Sequence, residues 1–344
     1  VCALWVVFSH IPPFPTNQWL GKDSLGELVL RGVLKNLFCG SAAVTVFFVI
    51  SGFCIHIPQR NGRPLAVASF YAQRCLRIGI PFVVAVGVGY AAQLKGLQIG
   101  WQSFRIGAEH RQEAELTASI LWSLVAEMTY YALYPALLAL ARRTSWMAVL
   151  TGACAVALAI LLSDPRARYF PHFGNSLTPW IGLPSWLLGV LLAERFEGFK
   201  EGTVTRLQIW CWRLGVAATA SGLQALFFHP PAVFPYVGYP WTLQAFAVLA
   251  MIWLEREVRW WRHHPPPALL EWAGSWSYSL YLFHIAAPAA VGVLLRSAGR
   301  PELPALALSL LRVAMVFPLC YAFARLVEFP SWSLARRVGA RLRA

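Results

Sequence analysis

Nine apolar runs, at 37–57, 78–94, 119–141, 146–163, 180–195, 207–229, 239–255, 276–297 and 303–327, set the limits on what this chain can fold into. Each is close to the roughly 20 apolar residues that carry a helix across about 30 Å of hydrocarbon. A shorter apolar piece, residues 1–12, opens the chain and brings the count to ten. With 58% hydrophobic and 13% charged residues, the chain has more apolar side chains than one soluble core could hide. The expected fold is an all-α integral membrane protein, a bundle of about ten transmembrane helices. The longest connections, 13–36 and 95–118, are too short to fold alone, and there is no internal repeat, so residues 1–344 read as one transmembrane domain with no appended soluble domain.

A net charge of +14 invites a nucleic-acid reading, which the placement of the charges removes. If the N-terminus is inside, the inner connections and tail hold 16 Lys and Arg residues, Arg60, Arg74, Arg77, Arg142 and Arg143 among them, against 10 in the outer connections. That bias follows the positive-inside rule and puts both termini of a multi-pass protein in the cytoplasm. Basic charge then serves orientation and contact with anionic membrane lipids, and no nucleic-acid partner is expected. The opening twelve residues make only about 18 Å of helix and do not start with Met, so the first helix is expected to be truncated at its N-terminus. They lack the basic region and small-residue cleavage pattern of a signal peptide. The seven cysteines form no C-x-x-C pair and no zinc spacing; they read as packing residues, and no metal is expected. Trp101, Trp241, Trp260, Trp261 and Trp332 stand near segment ends, where an aromatic belt belongs.

Within residues 122–135, WSLVAEMTYYALYP, one carboxylate, Glu127, sits in the middle of an apolar run. Every other Asp or Glu falls in a polar connection or near the end of an apolar segment, so Glu127 stands alone as a functional candidate, with Tyr130 beside it as a supporting residue. His10 closes the first segment just before Ile-Pro-Pro; imidazole suits proton exchange with a hydroxyl, and it equally suits an interfacial helix end. Ser51 and Gly52, in FFVISGF, allow close helix approach, either as packing or as the wall of a narrow channel. Arg74 and Arg77 lie one helical turn apart in SFYAQRCLRIGIPF and suit either phosphate contacts or positive-inside anchoring. SWSYSLYLFH carries Ser277, Tyr278, Ser279 and Tyr281, which fit interhelical hydrogen bonding, and ends in an intramembrane His284.

These five stretches in this order, with a tail YAFARLVEFP at 321–330, resemble the membrane acyltransferase-3 family of bacterial integral-membrane O-acyltransferases. The resemblance implies about ten transmembrane helices in the bacterial inner membrane. It also implies transfer of an acyl group, often acetyl, from acyl-CoA as co-substrate to a hydroxyl, with no bound cofactor. Acceptors would be sugars of cell-surface polysaccharides, or lipids, antibiotics and other small molecules. Carried over by position, His10 matches the catalytic His, Arg74 and Arg77 the arginines of donor binding, Ser51 and Gly52 the second-helix motif, and Glu127 the Glu of the fourth helix. Many members have a basic residue that would fall two positions before Val1, and an Asp where this chain has Thr45.

The expected mechanism is direct transfer. Acyl-CoA enters from the cytoplasm with its phosphates near Arg74 and Arg77, and His10 acts as general base on the acceptor hydroxyl. Glu127 either orients His10 or pairs with a nearby basic group, and an acyl-His intermediate is a variant. An alternative class is a transporter or flippase for a polar lipid-linked substrate, with Glu127 and the histidines as proton-relay groups. It would require paired half-chains with interrupted helices. A third reading is a catalytically inactive relative that serves as a binding partner.

Overall fold

The computed structural model describes residues 1–12, 24–93, 114–200, 203–229, 236–285, 291, 295 and 303–343. Among them the regular structure is helical throughout, with no strand. The helices, in chain order, are α1 (Cys2–His10), α2 (Leu25–Asn36), α3 (Gly40–His56), α4 (Val67–Arg74), α5 (Ile80–Gln93), α6 (Ala114–Arg143) and α7 (Trp146–Ser163). They continue with α8 (Gly174–Glu194), α9 (Arg206–Phe228), α10 (Tyr239–His263), α11 (Ala268–Ser275), α12 (Ser277–Phe283), α13 (Ala305–Phe323) and α14 (Phe329–Arg341).

Among the described residues, six stretches are long and apolar enough to cross a membrane: Leu25–Gln59, Val67–Val88, Trp122–Arg143, Trp146–Ser163, Phe170–Glu194 and Leu306–Arg341. The count of about ten is not reached, for identifiable reasons. Helix α1 has nine residues, about 14 Å of rise. Helices α9 and α10 form over the expected stretches and have 23 and 25 residues, but polar residues such as Gln208, Arg213 and Gln224 dilute the apolar character of α9, and Glu255, Arg256, Glu257, Arg259 and Arg262 crowd into the second half of α10. Helix α12 has seven residues, and most of the rest of 276–297 lies outside the described residues, as do Trp101 and most of the 95–118 connection. The 13–36 connection contains helix α2, which its sequence pattern did not announce; Ser24 caps it by accepting the Glu27 N–H at 3.2 Å.

Two apolar runs prove longer than their hydropathy suggests, because each continues through a π-helical turn. Cys75–Gly79 joins α4 to α5, and Ala324–Glu328 joins α13 to α14. The two rods lie side by side, α14 packing against α4 and α5 against the second π turn. Where they touch, Ser69 donates to the Gly339 carbonyl at 2.7 Å. The interruptions fall at 75–79 and 324–328, which are not equivalent positions of two half-chains.

The centre of the molecule is the crossing of α3 and α8. A Cβ on Gly52 would stand 2.0 Å from the Trp186 carbonyl oxygen, and one on Gly189 1.9 Å from that of Val49. Any larger residue would push the two backbones apart, which is how small residues hold helices together in lipid. Pro179 and Pro184 lie within α8. Side chains from neighbouring helices serve its carbonyls, Tyr130 donating to Pro179 at 2.9 Å and Gln244 to Ile181 at 2.7 Å. Helix α1 packs beside α3 and α12; its Ala3 and Val7, with Ile11 just past its end, join a small cluster with Trp276, Leu280, Val316, Cys320 and Ala324.

Packing explains the cysteines only in part. All seven are free, and Cys39 and Cys320 are buried, but Cys54, Cys75, Cys154 and Cys211 are exposed on the protein surface. Among the described residues no His, Cys, Asp and Glu cluster is suited to a metal.

Candidate active site

At the C-terminal end of α1, His10 meets His284, which directly follows α12. The His10 Nδ1 lies 3.1 Å from the His284 Nε2, and the two rings stack with centroids 5.2 Å apart. His284 is fully buried. Its Nδ1 faces two carbonyl oxygens, Tyr281 at 2.8 Å and Leu280 at 3.2 Å. His10 also hydrogen-bonds to the backbone of Val6.

Glu127 belongs to a different group. On α6, Ser123, Glu127 and Tyr131 are four residues apart and share one face. The Tyr131 hydroxyl donates to the Glu127 carboxylate. Ser51 on α3 lies 3.0 Å from that hydroxyl and also hydrogen-bonds to Glu127. The indole N–H of Trp186 donates to Ser51 at 3.2 Å. The charges that act on Glu127 come from Arg74 and Arg77. The Arg74 guanidinium stands between two aromatic rings, 5.7 Å from the centroid of Phe70 and 5.6 Å from that of Tyr131. Its Nε is buried with no hydrogen-bond partner among the described residues, as is that of Arg256. Arg77, in the π turn, is exposed and reaches over Trp332 at 5.8 Å.

Between these groups runs a ladder of hydroxyls. Tyr281 and Ser123 hydrogen-bond to each other, linking α12 to α6. Phe47 of α3 packs edge-on against Tyr281 at 5.7 Å. Tyr278, one turn from Tyr281, donates to the Ile78 carbonyl at 3.1 Å, inside the first π turn. Ser279 donates to Glu328, its N–H at 3.1 Å and its hydroxyl on the same carboxylate oxygen. One turn beyond Tyr131 on α6, Tyr134 meets His56 at 2.9 Å, and His56 also hydrogen-bonds to Glu194.

The order of partners fixes the direction of the seam. His284 is three residues from Tyr281, about 4.5 Å of rise, and Tyr131 is eight from Ser123, about 12 Å. His10 and the Arg74–Tyr131 group therefore stand at the two ends of one polar path, roughly 16 Å apart along the bundle. Glu127 lies roughly 10 Å from the His10 level and among the arginines. Of the two placements open to it from sequence, beside His10 or beside a basic group, it takes the second.

Several sequence readings change here. Glu127 does not stand alone, since Glu328 is only 6% exposed and ties the second π turn to α12. It looked terminal because the apolar run ends there, whereas the helix continues to Arg341. Gly52 is a packing residue, while Ser51 beside it is part of the Glu127 network. Tyr130 is buried against Phe48 and Trp186 and serves the α8 backbone; its neighbour Tyr131 is the tyrosine on the carboxylate. Ser277 donates to Gly274 at 2.9 Å, closing the α11–α12 junction, and it is Ser279 that reaches another helix. Trp260 and Trp261 are not simply belt residues. Trp260 is 9% exposed and stacks on His264, and Trp261 donates at 2.8 Å to Glu257, which also holds Arg213 at 2.7 and 2.9 Å. Tyr131, Ser123, Glu328, His56 and Glu194 were missed as site neighbours, whereas Tyr281 makes the interhelical hydrogen bond its sequence suggests. A four-residue polar spacing along α6 was the available signal for Ser123 and Tyr131.

Long apolar helices packed through glycine crossings, with charged and hydroxyl groups turned into the bundle, define a multi-span membrane protein. Its relationships with known proteins are specific. The acyltransferase domain family matches residues 1–325. The chain belongs to this family, the acyltransferase-3 group of membrane acyltransferases. It is also similar to nodulation protein 10 of Rhizobium leguminosarum bv. viciae, 25% identical over 315 residues, which cover 82% of this chain and 79% of that protein. No solved structure matches.

Proposed function

We propose that this acyltransferase takes its acyl group from acyl-CoA, probed most simply as acetyl-CoA, and transfers it to a hydroxyl of a cell-surface saccharide or related small molecule. The observation that carries this reading is the polar seam with a histidine at one end and paired guanidiniums at the other. Phosphates of the donor meet Arg74 and Arg77, which offer charge-assisted hydrogen bonds, and the buried Arg74 N–H gains an acceptor. The flexible arm of the donor then runs along the seam past Tyr131, Glu127 and the Tyr281–Ser123 pair, presenting its thioester about 16 Å further on. There His10 removes the proton of the acceptor hydroxyl as its oxygen attacks the thioester carbonyl; CoA leaves as the thiolate and takes up a proton. Transfer is direct, and no bound cofactor takes part. Glu127 balances the arginines and, through Tyr131, sets where Arg74 stands.

In this reading the arginine end faces the cytoplasm, where acyl-CoA is made, and both termini are cytoplasmic in a bacterial inner membrane. The test uses the protein in liposomes with acetyl-CoA and a panel of monosaccharides and oligosaccharides. Saccharide-dependent release of CoA thiol, with the acyl group recovered on the sugar, is expected. No thiol release above that of protein-free liposomes, for any acyl-CoA offered, overturns the donor assignment.

A further inference from the structure

We infer that His284 is the positioning residue that sets the His10 imidazole in the tautomer with hydrogen on Nδ1 and the lone pair on Nε2. This rests on the reading of His10 as the general base and adds which of its two nitrogens takes the proton.

The His284 Nδ1 faces the Tyr281 carbonyl at 2.8 Å and the Leu280 carbonyl at 3.2 Å. Carbonyl oxygens only accept, so this nitrogen carries hydrogen. A second proton on His284 would leave a full charge on a buried ring whose partners are carbonyls and another imidazole, which is costly. Its Nε2 therefore accepts, and the His10 Nδ1 at 3.1 Å is the donor. A neutral imidazole has one N–H, so the His10 lone pair is on Nε2.

The chain gives His284 a firm footing for this task. Three ties hold α12 before it reaches His10: Tyr278 to Ile78, Ser279 to Glu328 and Tyr281 to Ser123. When the His10 Nε2 takes the proton from the acceptor hydroxyl, the positive charge is shared through the Nδ1–H with the His284 lone pair. An orienter that is itself neutral and backed by a backbone carbonyl does what a carboxylate does in other base–orienter pairs.

The test is nitrogen-15 solid-state NMR of the whole protein in lipid bilayers, labelled at its eight histidines. The His10 signals are assigned by difference from His10→Ala. The parent is expected to show His10 with Nδ1 protonated and Nε2 unprotonated. His284→Leu is expected to lose that preference and to lower kcat about 100-fold while the KM for acetyl-CoA stays within about 2-fold. His284→Gln, whose amide oxygen can accept from the His10 Nδ1–H, is expected to restore kcat to within about 10-fold of the parent. A protonated His10 Nε2 in the parent overturns the inference, as does parental kcat in His284→Leu. If His284→Leu fails to insert, the spectrum of the parent and the kinetics of His284→Gln still decide it. An active His10→Ala would instead remove the proposed base, whereas an inactive His10→Ala beside a fully active His284→Leu would overturn the positioning role alone.

Discussion

The two ends of the seam are built on opposite principles. At the His10 end the polar groups are neutral, few and held by backbone: one imidazole stacks on another, which rests on two carbonyls. At the Arg74 end they are charged and held by side chains, with Glu127 among Tyr131, Ser51, Arg74 and Arg77. A base must keep one lone pair aimed at one atom, and rigid neutral partners do that without desolvating an ion. A donor carrying several negative charges needs compensating charge and tolerates some play in its position. In the proposed function the contrast would separate chemistry from binding, and it can be tested as such.

The sharpest way to break it is His10→Ala, which should reduce acyl transfer at least about 1,000-fold with the protein still inserted and folded. Free CoA thiol measured with saccharide present checks it, and near-parental release would dissolve the distinction between the ends. Glu127→Gln comes next, at about 100-fold. Full activity with a higher Tm would make Glu127 an ionic strut. Arg74→Ala and Arg77→Ala should each raise the KM for acetyl-CoA about 10-fold while leaving that of the acceptor nearly unchanged, because they remove ground-state contacts with the donor. If instead cysteine labelling from the two sides of the membrane shows altered topology at a normal donor KM, the arginines are anchors. The smallest functional effect, and an equal one at both ends, is expected of Gly189→Ala. It should lower thermal stability by about 1–3 kcal/mol through forced separation of α3 and α8, and the ratio of donor to acceptor KM should stay constant. A change in that ratio would tie the crossing to one end.

The sequence disclosed the membrane class and the polar residues set within its apolar runs because both depend on local pattern. Apolar length marks a span, and a His or Glu inside one is conspicuous. It did not disclose partners, since the interaction of Glu127 with Ser51 joins positions 76 residues apart and that of His10 with His284 joins positions 274 apart. Helix and hydropathy part company in α10, which keeps its helix through five charged residues, and beyond α13, whose expected span passes through a π turn into the polar α14. Glu328 was hidden by the same effect. The arginine pair was legible as a pair, but Arg77 was not legible as part of a π turn, because nothing in CLRIG distinguishes five residues per hydrogen bond from four.

The packing of α1 has a consequence for biogenesis. His10 emerges from the ribosome 274 residues ahead of the histidine it must meet, and the apolar surface that receives Ala3, Val7 and Ile11 is supplied by residues 276–324. At ordinary rates of translation that interval is on the order of tens of seconds. During it α1 has α3 as a neighbour but lacks the surface later supplied by α12 and α13, so docking of His10 against His284 is a late step of assembly. In the proposed function, a nascent or prematurely terminated chain would therefore carry Arg74 and Arg77 before the general base is seated, and would bind the acyl donor without transferring its acyl group.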